Sequence, residues 1–275
     1  MALFFVYGRH RRGEVLHDDL IGSKCVCLQS WISGELEDSK LGFPVRKKNT
    51  NSRIYGEVYD TASDKLDSIK NHFPSLEFRK DTAYNDHGKP MEVVVSEYKT
   101  ENEDGTLKTI PFGDWRVYQY LTRKNLFYFA YGSCMDDERF KMAKVDKYFS
   151  AKSGKGLLKN HGFRFSRTSN DGGKADLIES AGEKVEGVVY KVPLEAIDYL
   201  YQREGVYSNA YRPAIIEVEM TSGKRVEAVT FIGIDKHEET PPTRKYAEEI
   251  IRGAEGILSE RYIAKIQKRI DRLFS

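Results

Sequence analysis

The chain has 275 residues, a net charge of +2 at neutral pH and 40% hydrophobic residues. This length and composition allow a sizeable core and two domains, and the nearly balanced charge gives no indication of a nucleic-acid or membrane partner. No apolar run approaches the length of a transmembrane helix, and the apolar start at residues 2–6 is too short for a signal peptide. We therefore expect a cytoplasmic protein.

The three cysteines, Cys25, Cys27 and Cys134, are an odd, low number that fits a reducing compartment. Cys25 and Cys27 have the spacing of a pair of metal ligands. No second Cys or His pair with zinc spacing accompanies them, so we expect two strand thiols and no metal site.

In the first half, residues 4–8 predict a strand that ends in a turn, followed by a basic run at 9–12. A second β-type stretch at 53–59 precedes a helical pattern with Leu66 and Ile69 on one face. Downstream, the pattern predicts a Val-rich strand at 91–98, a turn at 101–106 and a short helix at 112–123.

The second half mixes strands and helices, which together predict the α+β class. The predicted strands are 127–131, 156–166, 175–180, 185–191, 211–220 and 225–234, with a Gly-rich turn at 171–173. The predicted helices are 135–144, 194–204, 243–252 and 259–273. The apolar stripe of the last helix is expected to be core rather than a partner site, and comprises Ile263, Ile266, Ile270 and Leu273.

The two halves share landmarks that indicate an internal repeat. The strand and turn at 129–132 repeat the pattern of the N-terminal strand, and Gly187-Val188-Val189-Tyr190 matches Gly56-Glu57-Val58-Tyr59. Each of these β-type stretches precedes a helix with apolar residues three apart. We expect two related domains, 1–122 and 123–275, which pack together because no Pro- or Gly-rich linker separates them.

Two features of the second half have the potential for chemistry. Gly132-Ser133 separates a strand from a helix start with Asp136, Asp137 and Glu138, and the free backbone N–H groups of such a turn suit an anion or a carbonyl oxygen. Glu204 ends a predicted helix, where the dipole and burial would raise its pKa toward that of a general base. Taken alone, the turn also fits an ordinary strand–helix connection, and Glu204 also fits a solvated surface glutamate.

Residues 128–133, Tyr-Phe-Ala-Tyr-Gly-Ser, resemble the signature loop of the γ-glutamylcyclotransferase family. Further matches follow in the family's order across most of residues 125–265: Gly172-Gly173-Lys174-Ala175, Glu186-Gly187-Val188-Val189-Tyr190, Glu204-Gly205-Val206, Tyr211, and Pro242-x-x-x-Tyr246 followed by Gly253-Ala254. One departure is that Cys134-Met135 stands where the family often has Asn-Leu after the loop. If the asparagine side chain helps to select the substrate, the identity of the substrate is left undetermined.

The resemblance implies that each half folds as a small β-barrel or mixed sheet flanked by helices. It also implies cyclisation of a small γ-glutamyl amine or peptide to 5-oxoproline, with no metal or other cofactor. Glu204 would be the general acid and base, Tyr246 would close the pocket, and the loop would bind the substrate. The loop residues are Tyr128, Phe129, Ala130, Tyr131, Gly132, Ser133, Cys134 and Met135.

The first half resembles the family only faintly. Tyr7-Gly8 keeps two loop residues, and alignment without a gap sets Phe73 opposite Glu204. We expect that this half has lost the base and serves structure, regulation or binding.

Two other functions remain open. Cys134 follows the turn, where a helix start lowers a thiol pKa, so an amidase or acyltransferase with a Cys nucleophile is one alternative. Three neighbouring carboxylates, at 136–138, would oppose thiolate formation. The other alternative is a non-catalytic protein that binds a small ligand, although the presence of Glu204 favours catalysis.

Overall fold

The computed structural model describes residues 2–98 and 107–275, and it divides into two compact units, 1–119 and 120–275. The expected boundary after residue 122 lies close to this division. The turn predicted at 101–106 lies outside the described residues.

The first unit is built mainly of short strands. The strands are β1 (Ala2–Val6), β2 (Lys24–Ser33), β3 (Glu35–Asp38), β4 (Pro44–Lys47), β5 (Arg53–Thr61), β6 (Leu76–Tyr84), β7 (Pro90–Tyr98) and β8 (Lys108–Thr109). The helices are α1 (Ser63–His72) and α2 (Trp115–Tyr120), the latter reaching the first residue of the second unit.

Five of these strands close into a barrel in the order β1-β5-β2-β6-β7. β1 is antiparallel to β5, with Phe5 opposite Val58, and parallel to β7, with Phe5 opposite Val95. Apolar side chains from these strands fill the core, while Leu66 and Ile69 of α1 are buried in a second cluster, as their spacing predicted.

The second unit has longer strands and four helices among its described residues. The strands are β9 (Leu126–Ala130), β10 (Lys152–Ser169), β11 (Gly172–Val192), β12 (Tyr211–Met220) and β13 (Arg225–Gly233). The helices are α3 (Asp137–Met142), α4 (Glu195–Arg203), α5 (Arg244–Ala254) and α6 (Glu260–Phe274).

The second barrel repeats the topology of the first. Its closed order is β9-β11-β10-β12-β13, with β9 antiparallel to β11 and parallel to β13. β9 thus takes the place of β1, and β11 takes the place of β5. The predicted α+β fold of two related small barrels flanked by helices is confirmed.

The shared Gly-x-Val-Tyr pattern has a structural cause. A Cβ at Gly56 would lie 2.4 Å from the carbonyl oxygen of Val6 and 2.5 Å from the ring of Phe5. A Cβ at Gly187 would lie 2.4 Å from the carbonyl oxygen of Ala130 and 2.6 Å from the ring of Phe129. Each glycine lets an aromatic ring of the first strand lie over the neighbouring strand.

Several local predictions were wrong in extent. β11 runs without a break from Gly172, where the sequence indicated the end of a turn and then two separate segments, because it pairs with β10 along most of its length and with β9 at 188–192. The predicted helix at 112–123 is interrupted, since Phe112 takes a left-handed conformation (φ 60°) before α2 begins. The sequence did not predict β6, and it indicated β2 only through the two strand thiols expected at Cys25 and Cys27.

Among the described residues, Cys25 and Cys27 are free thiols of β2, and no group of three or more acidic, His or Cys side chains is arranged to hold a metal. Across 2–98 and 107–275, no helix has both the length and the apolar character needed to cross a membrane.

Candidate active site

The predicted loop forms a tight connection between a strand and a helix. β9 ends at Ala130, a 3-10 turn covers Ser133–Met135, and α3 begins at Asp137. Asp136 caps α3, and its carboxylate accepts a hydrogen bond from the N–H of Glu138 over 3.2 Å. The acidic start of this helix therefore fixes the end of the loop, as the sequence indicated.

Helix α5 packs directly on the loop backbone. A Cβ at Gly253 would lie 2.5 Å from the backbone nitrogen of Asp136 and 2.6 Å from the carbonyl carbon of Met135. The neighbouring Arg252 also donates a hydrogen bond to the Asp136 carboxylate. This close approach requires glycine and holds the loop in one conformation.

Glu204 forms the C-cap of α4, directly before Gly205, which takes a left-handed conformation (φ 63°). Its half-buried carboxylate accepts a hydrogen bond from the thiol of Cys134, with 3.0 Å between Sγ and Oε1. Burial raises the pKa of Glu204, while the Cys134 hydrogen bond and the positive charge of Arg203 lower it by less. The direction agrees with the sequence-based expectation, and burial is the largest cause.

Cys134 is buried against this carboxylate. Burial raises the pKa of the Cys134 thiol, and the negative charge of Glu204 raises it further. The sequence pointed to the carboxylates of 136–138 as the charges opposing a thiolate, whereas the carboxylate that contacts the thiol comes from a residue 70 positions away. The thiol acts here as a hydrogen-bond donor to Glu204.

Tyr246 and Tyr211 are both fixed by the backbone of Ala175. The Tyr246 hydroxyl accepts a hydrogen bond from the Ala175 N–H over 3.2 Å, and the Tyr211 hydroxyl donates to the Ala175 carbonyl over 2.6 Å. Thr243 caps α5 by accepting from the Tyr246 N–H over 3.2 Å. Residues from α5, β11 and β12 are thereby held at one place.

These elements surround a cavity of ≈ 340 Å³, a volume typical of small-molecule sites. Its lining is mostly polar and carries four cationic side chains and two carboxylates. The lining residues are Ser133, Arg139, Arg167, Ser169, Asp171, Lys174, Arg203, Glu204, Gly205, Ala210, Tyr211 and Tyr246.

Three of the predicted site residues, Ser133, Glu204 and Tyr246, line this cavity. Gly132 lies beside it, since a Cβ there would be 3.6 Å from the Tyr246 hydroxyl. Cys134 contacts Glu204 from the buried side. The remaining predicted residues are buried in the barrel or behind the loop, and substrate binding by them stays a prediction: Tyr128, Phe129, Ala130, Tyr131 and Met135.

The sequence did not identify the cationic lining as functional. Arg139 and Arg203 lie on α3 and α4, and Arg167 and Lys174 lie on the β10–β11 hairpin, so only the folded chain brings them together. Arg167 and Lys174 are symmetric about the turn at 170–171 that the chain forms, whereas the turn was predicted at 171–173, so the predicted strands would not have paired them.

The first unit has different residues at the equivalent positions. His10 follows Tyr7-Gly8 as Cys134 follows Tyr131-Gly132, and Phe73 is the C-cap of α1 as Glu204 is the C-cap of α4. The rings of His10 and Phe73 meet edge to face, with 5.7 Å between centroids. An aromatic pair thus replaces the thiol–carboxylate pair, which supports the expectation that this unit lacks the base.

The chain matches two family models, one in each half. Residues 4–117 match the model described as "Gamma-glutamyl cyclotransferase, AIG2-like", and residues 184–266 match the "AIG2-like family" model. The first half, which resembled the family only faintly in its motifs, is therefore recognisably related to it.

A Bacillus subtilis protein named "Putative gamma-glutamylcyclotransferase YkqA" is 35% identical over 275 residues, covering 99% of this chain and 98% of that protein. The crystal structure of YkqA superposes with a TM-score of 0.90 at 34% identity, covering 98% of this chain and 97% of that one. The Bos taurus protein named "Gamma-glutamylcyclotransferase" is 30% identical over 134 residues, which cover 48% of this chain and 71% of that protein. The chain belongs to the AIG2-like γ-glutamylcyclotransferase family.

Proposed function

We propose that the second unit catalyses the cyclisation of a γ-glutamyl amine or peptide to 5-oxoproline. The α-amine nitrogen of the glutamyl group attacks its own γ-carbonyl carbon, the amide C–N bond breaks, and the attached amine leaves. Nucleophile and electrophile belong to one molecule, so the protein's task is to fold the substrate and to move one proton.

The observation that carries this proposal is the position of Glu204. Its carboxylate lies in a polar cavity beside the loop, and burial raises its pKa. A carboxylate in such surroundings suits a base that takes the proton of the α-amine and returns it to the leaving nitrogen. The Cys134 hydrogen bond orients the carboxylate from behind and leaves its other oxygen for the substrate.

The substrate is held by the loop and its neighbours. Arg203, whose guanidinium lies 3.5 Å from the Ser133 hydroxyl, is placed to receive the α-carboxylate of the glutamyl group. The loop N–H groups would stabilise the oxyanion that forms as the amine attacks. Tyr246 would cover the ring as it closes.

A thiol mechanism has less support. A Cys nucleophile needs an activating base and an accessible thiolate, whereas burial and the Glu204 charge raise the pKa of Cys134. His161 lies on β10, where its Nδ1 bonds to the Lys159 carbonyl over 3.0 Å, and it is not among the residues that line the cavity.

Release of 5-oxoproline from a panel of γ-glutamyl peptides and γ-glutamyl amines, measured by chromatography of the products, tests the proposal. We expect stoichiometric formation of 5-oxoproline and the free amine. Hydrolysis to free glutamate would instead favour an amidase, and saturable binding of the panel without turnover would favour a binding protein.

A further inference from the structure

Two cationic side chains face the cavity from directly opposite positions on the β10–β11 hairpin. Arg167 pairs with Lys174 in the register of the two strands, and both line the cavity. Like charges directly opposite on a ladder repel each other, so this pair destabilises the empty site unless an anion lies between them.

Within the described residues, Arg167 has no carboxylate partner. Its guanidinium donates to the backbone carbonyls of Ala210, over 3.2 Å, and Thr168, both of which are neutral. These bonds position the side chain but leave its charge uncompensated, which suits a group that binds an anionic ligand.

Lys174 is paired only at the surface. Its Nζ lies 2.8 Å from the carboxylate of Asp171, whose side chain is 65% exposed, and it also lies 4.6 Å from the ring centroid of Tyr246. An exposed ion pair contributes little to stability, so Lys174 exchanges Asp171 for a ligand carboxylate at small cost. The Tyr246 ring keeps the ammonium at the cavity.

The glutamyl half of a substrate does not use this pair. In the function proposed above, its amine faces Glu204 and its single α-carboxylate is received by Arg203, which lies beside the loop residue Ser133. Arg139, the fourth cation of the lining, is paired with the buried Glu249 over 3.0 Å. Arg167 and Lys174 are therefore available to bind the leaving group, which is the amine or amino acid released on cyclisation.

We propose, on the basis of the cyclotransferase function above, that the preferred leaving group is an amino acid or peptide with two carboxylates, bound by Arg167 and Lys174. The substrate class is then a γ-glutamyl peptide whose second residue is acidic. Neutral γ-glutamyl amines leave the charge of Arg167 uncompensated and offer Lys174 no carboxylate in place of Asp171, so we expect them to be poor substrates.

The test compares γ-glutamyl-glutamate with γ-glutamyl-glutamine, which has nearly the same shape and one carboxylate fewer. We expect kcat/KM to be at least about tenfold higher for the acidic peptide, the scale of one charge-assisted hydrogen bond. Raising the salt concentration should reduce this ratio, since the cations are open to solvent through the cavity.

Variants of Arg167 and Lys174 test whether these two residues cause the preference, measured as the ratio of kcat/KM for γ-glutamyl-glutamate to that for γ-glutamyl-glutamine. Arg167→Met and Lys174→Met should each reduce the ratio severalfold, and Arg167→Lys should restore part of it. Lys159→Met is the matched control, because Lys159 lies on the same strand but pairs with Glu219 and does not line the cavity. It should leave the ratio unchanged.

The outcomes separate the two proposals. Equal kcat/KM for both peptides, with abundant 5-oxoproline, overturns the acidic preference and leaves the cyclotransferase function intact. Absence of product from both peptides overturns the function itself. As a check without turnover, Glu204→Gln should show a larger thermal shift with the acidic peptide, and equal shifts would contradict the inference.

Discussion

The thiol of Cys134 and the carboxylate of Glu204 are joined by a 3.0 Å hydrogen bond between the loop after β9 and the end of α4. The equivalent residues of the first unit, His10 and Phe73, are also in contact, through an edge-to-face ring pair. The repeat therefore preserved a contact while its chemistry changed. In one unit the contact holds a titratable carboxylate, and in the other it packs two rings.

Replacing Glu204 by Gln removes the base while keeping size and hydrogen bonding. We expect kcat to fall by about 100-fold or more, the usual contribution of a positioned general base. Glu195→Gln, at the exposed start of the same helix, is the control and should keep full activity. Comparable 5-oxoproline release by folded Glu204→Gln would remove Glu204 from the mechanism.

The pH dependence of kcat/KM should contain a limb due to Glu204. Burial raises the pKa of this carboxyl above its ordinary value of 4.5, so activity should rise with pH along a limb displaced to the alkaline side of that value. Because the substrate amine also titrates, its own pKa is measured separately by NMR. A limb at the ordinary glutamate value would contradict the placement of the base.

The raised pKa of Glu204 also predicts that removing its negative charge stabilises the folded protein at neutral pH. A carboxyl whose folded pKa is raised favours the protonated fold, so its stabilising contribution is present below the unfolded pKa and is lost as pH rises through the folded pKa. Glu204→Gln should therefore melt at a higher temperature than the parent at neutral pH, and the difference should disappear in acid. A lower melting temperature at neutral pH would show that the ionised carboxylate stabilises the fold.

Cys134→Ala separates the cyclotransferase from a thiol enzyme. We expect the variant to keep most of its activity, to change mainly its substrate preference, and to form no acyl-enzyme visible by mass spectrometry. The Cys134 hydrogen bond lowers the pKa of Glu204, so its loss should move the activity limb to higher pH. An acyl adduct on Cys134, together with an inactive Ala variant, would assign the chemistry to the thiol.

Phe73→Ala tests the division of labour between the units. Partial burial of this ring against Phe4 and its neighbours suggests a loss of about 1–2 kcal/mol in the free energy of unfolding. Cyclotransferase activity of the folded variant should be unchanged, because the first unit has no carboxylate at this position. Activity that falls by more than the unfolded fraction would show that this unit takes part in the reaction.

Many of the strands and helices, and the internal repeat, could be predicted from the sequence, because they depend on short-range signals. The strands predicted at 211–220 and 225–234, the helices predicted at 243–252 and 259–273, and the Gly-x-Val-Tyr repeat all rest on patterns of neighbouring residues. Counting along that repeat also placed Phe73 opposite Glu204, and both residues are indeed helix C-caps.

Tertiary structure alone decided what surrounds Glu204. The Cys134 bond joins residues 70 positions apart, and the pair of Arg167 and Lys174 depends on the register of a long hairpin. The contact between Cys134 and Glu204 results from closing the barrel, a global condition that local pattern does not encode. The register of the hairpin follows from a turn at 170–171, which the sequence placed at 171–173. Hence the sequence determined the fold and the candidate base, whereas the folded chain determined the charge of the cavity.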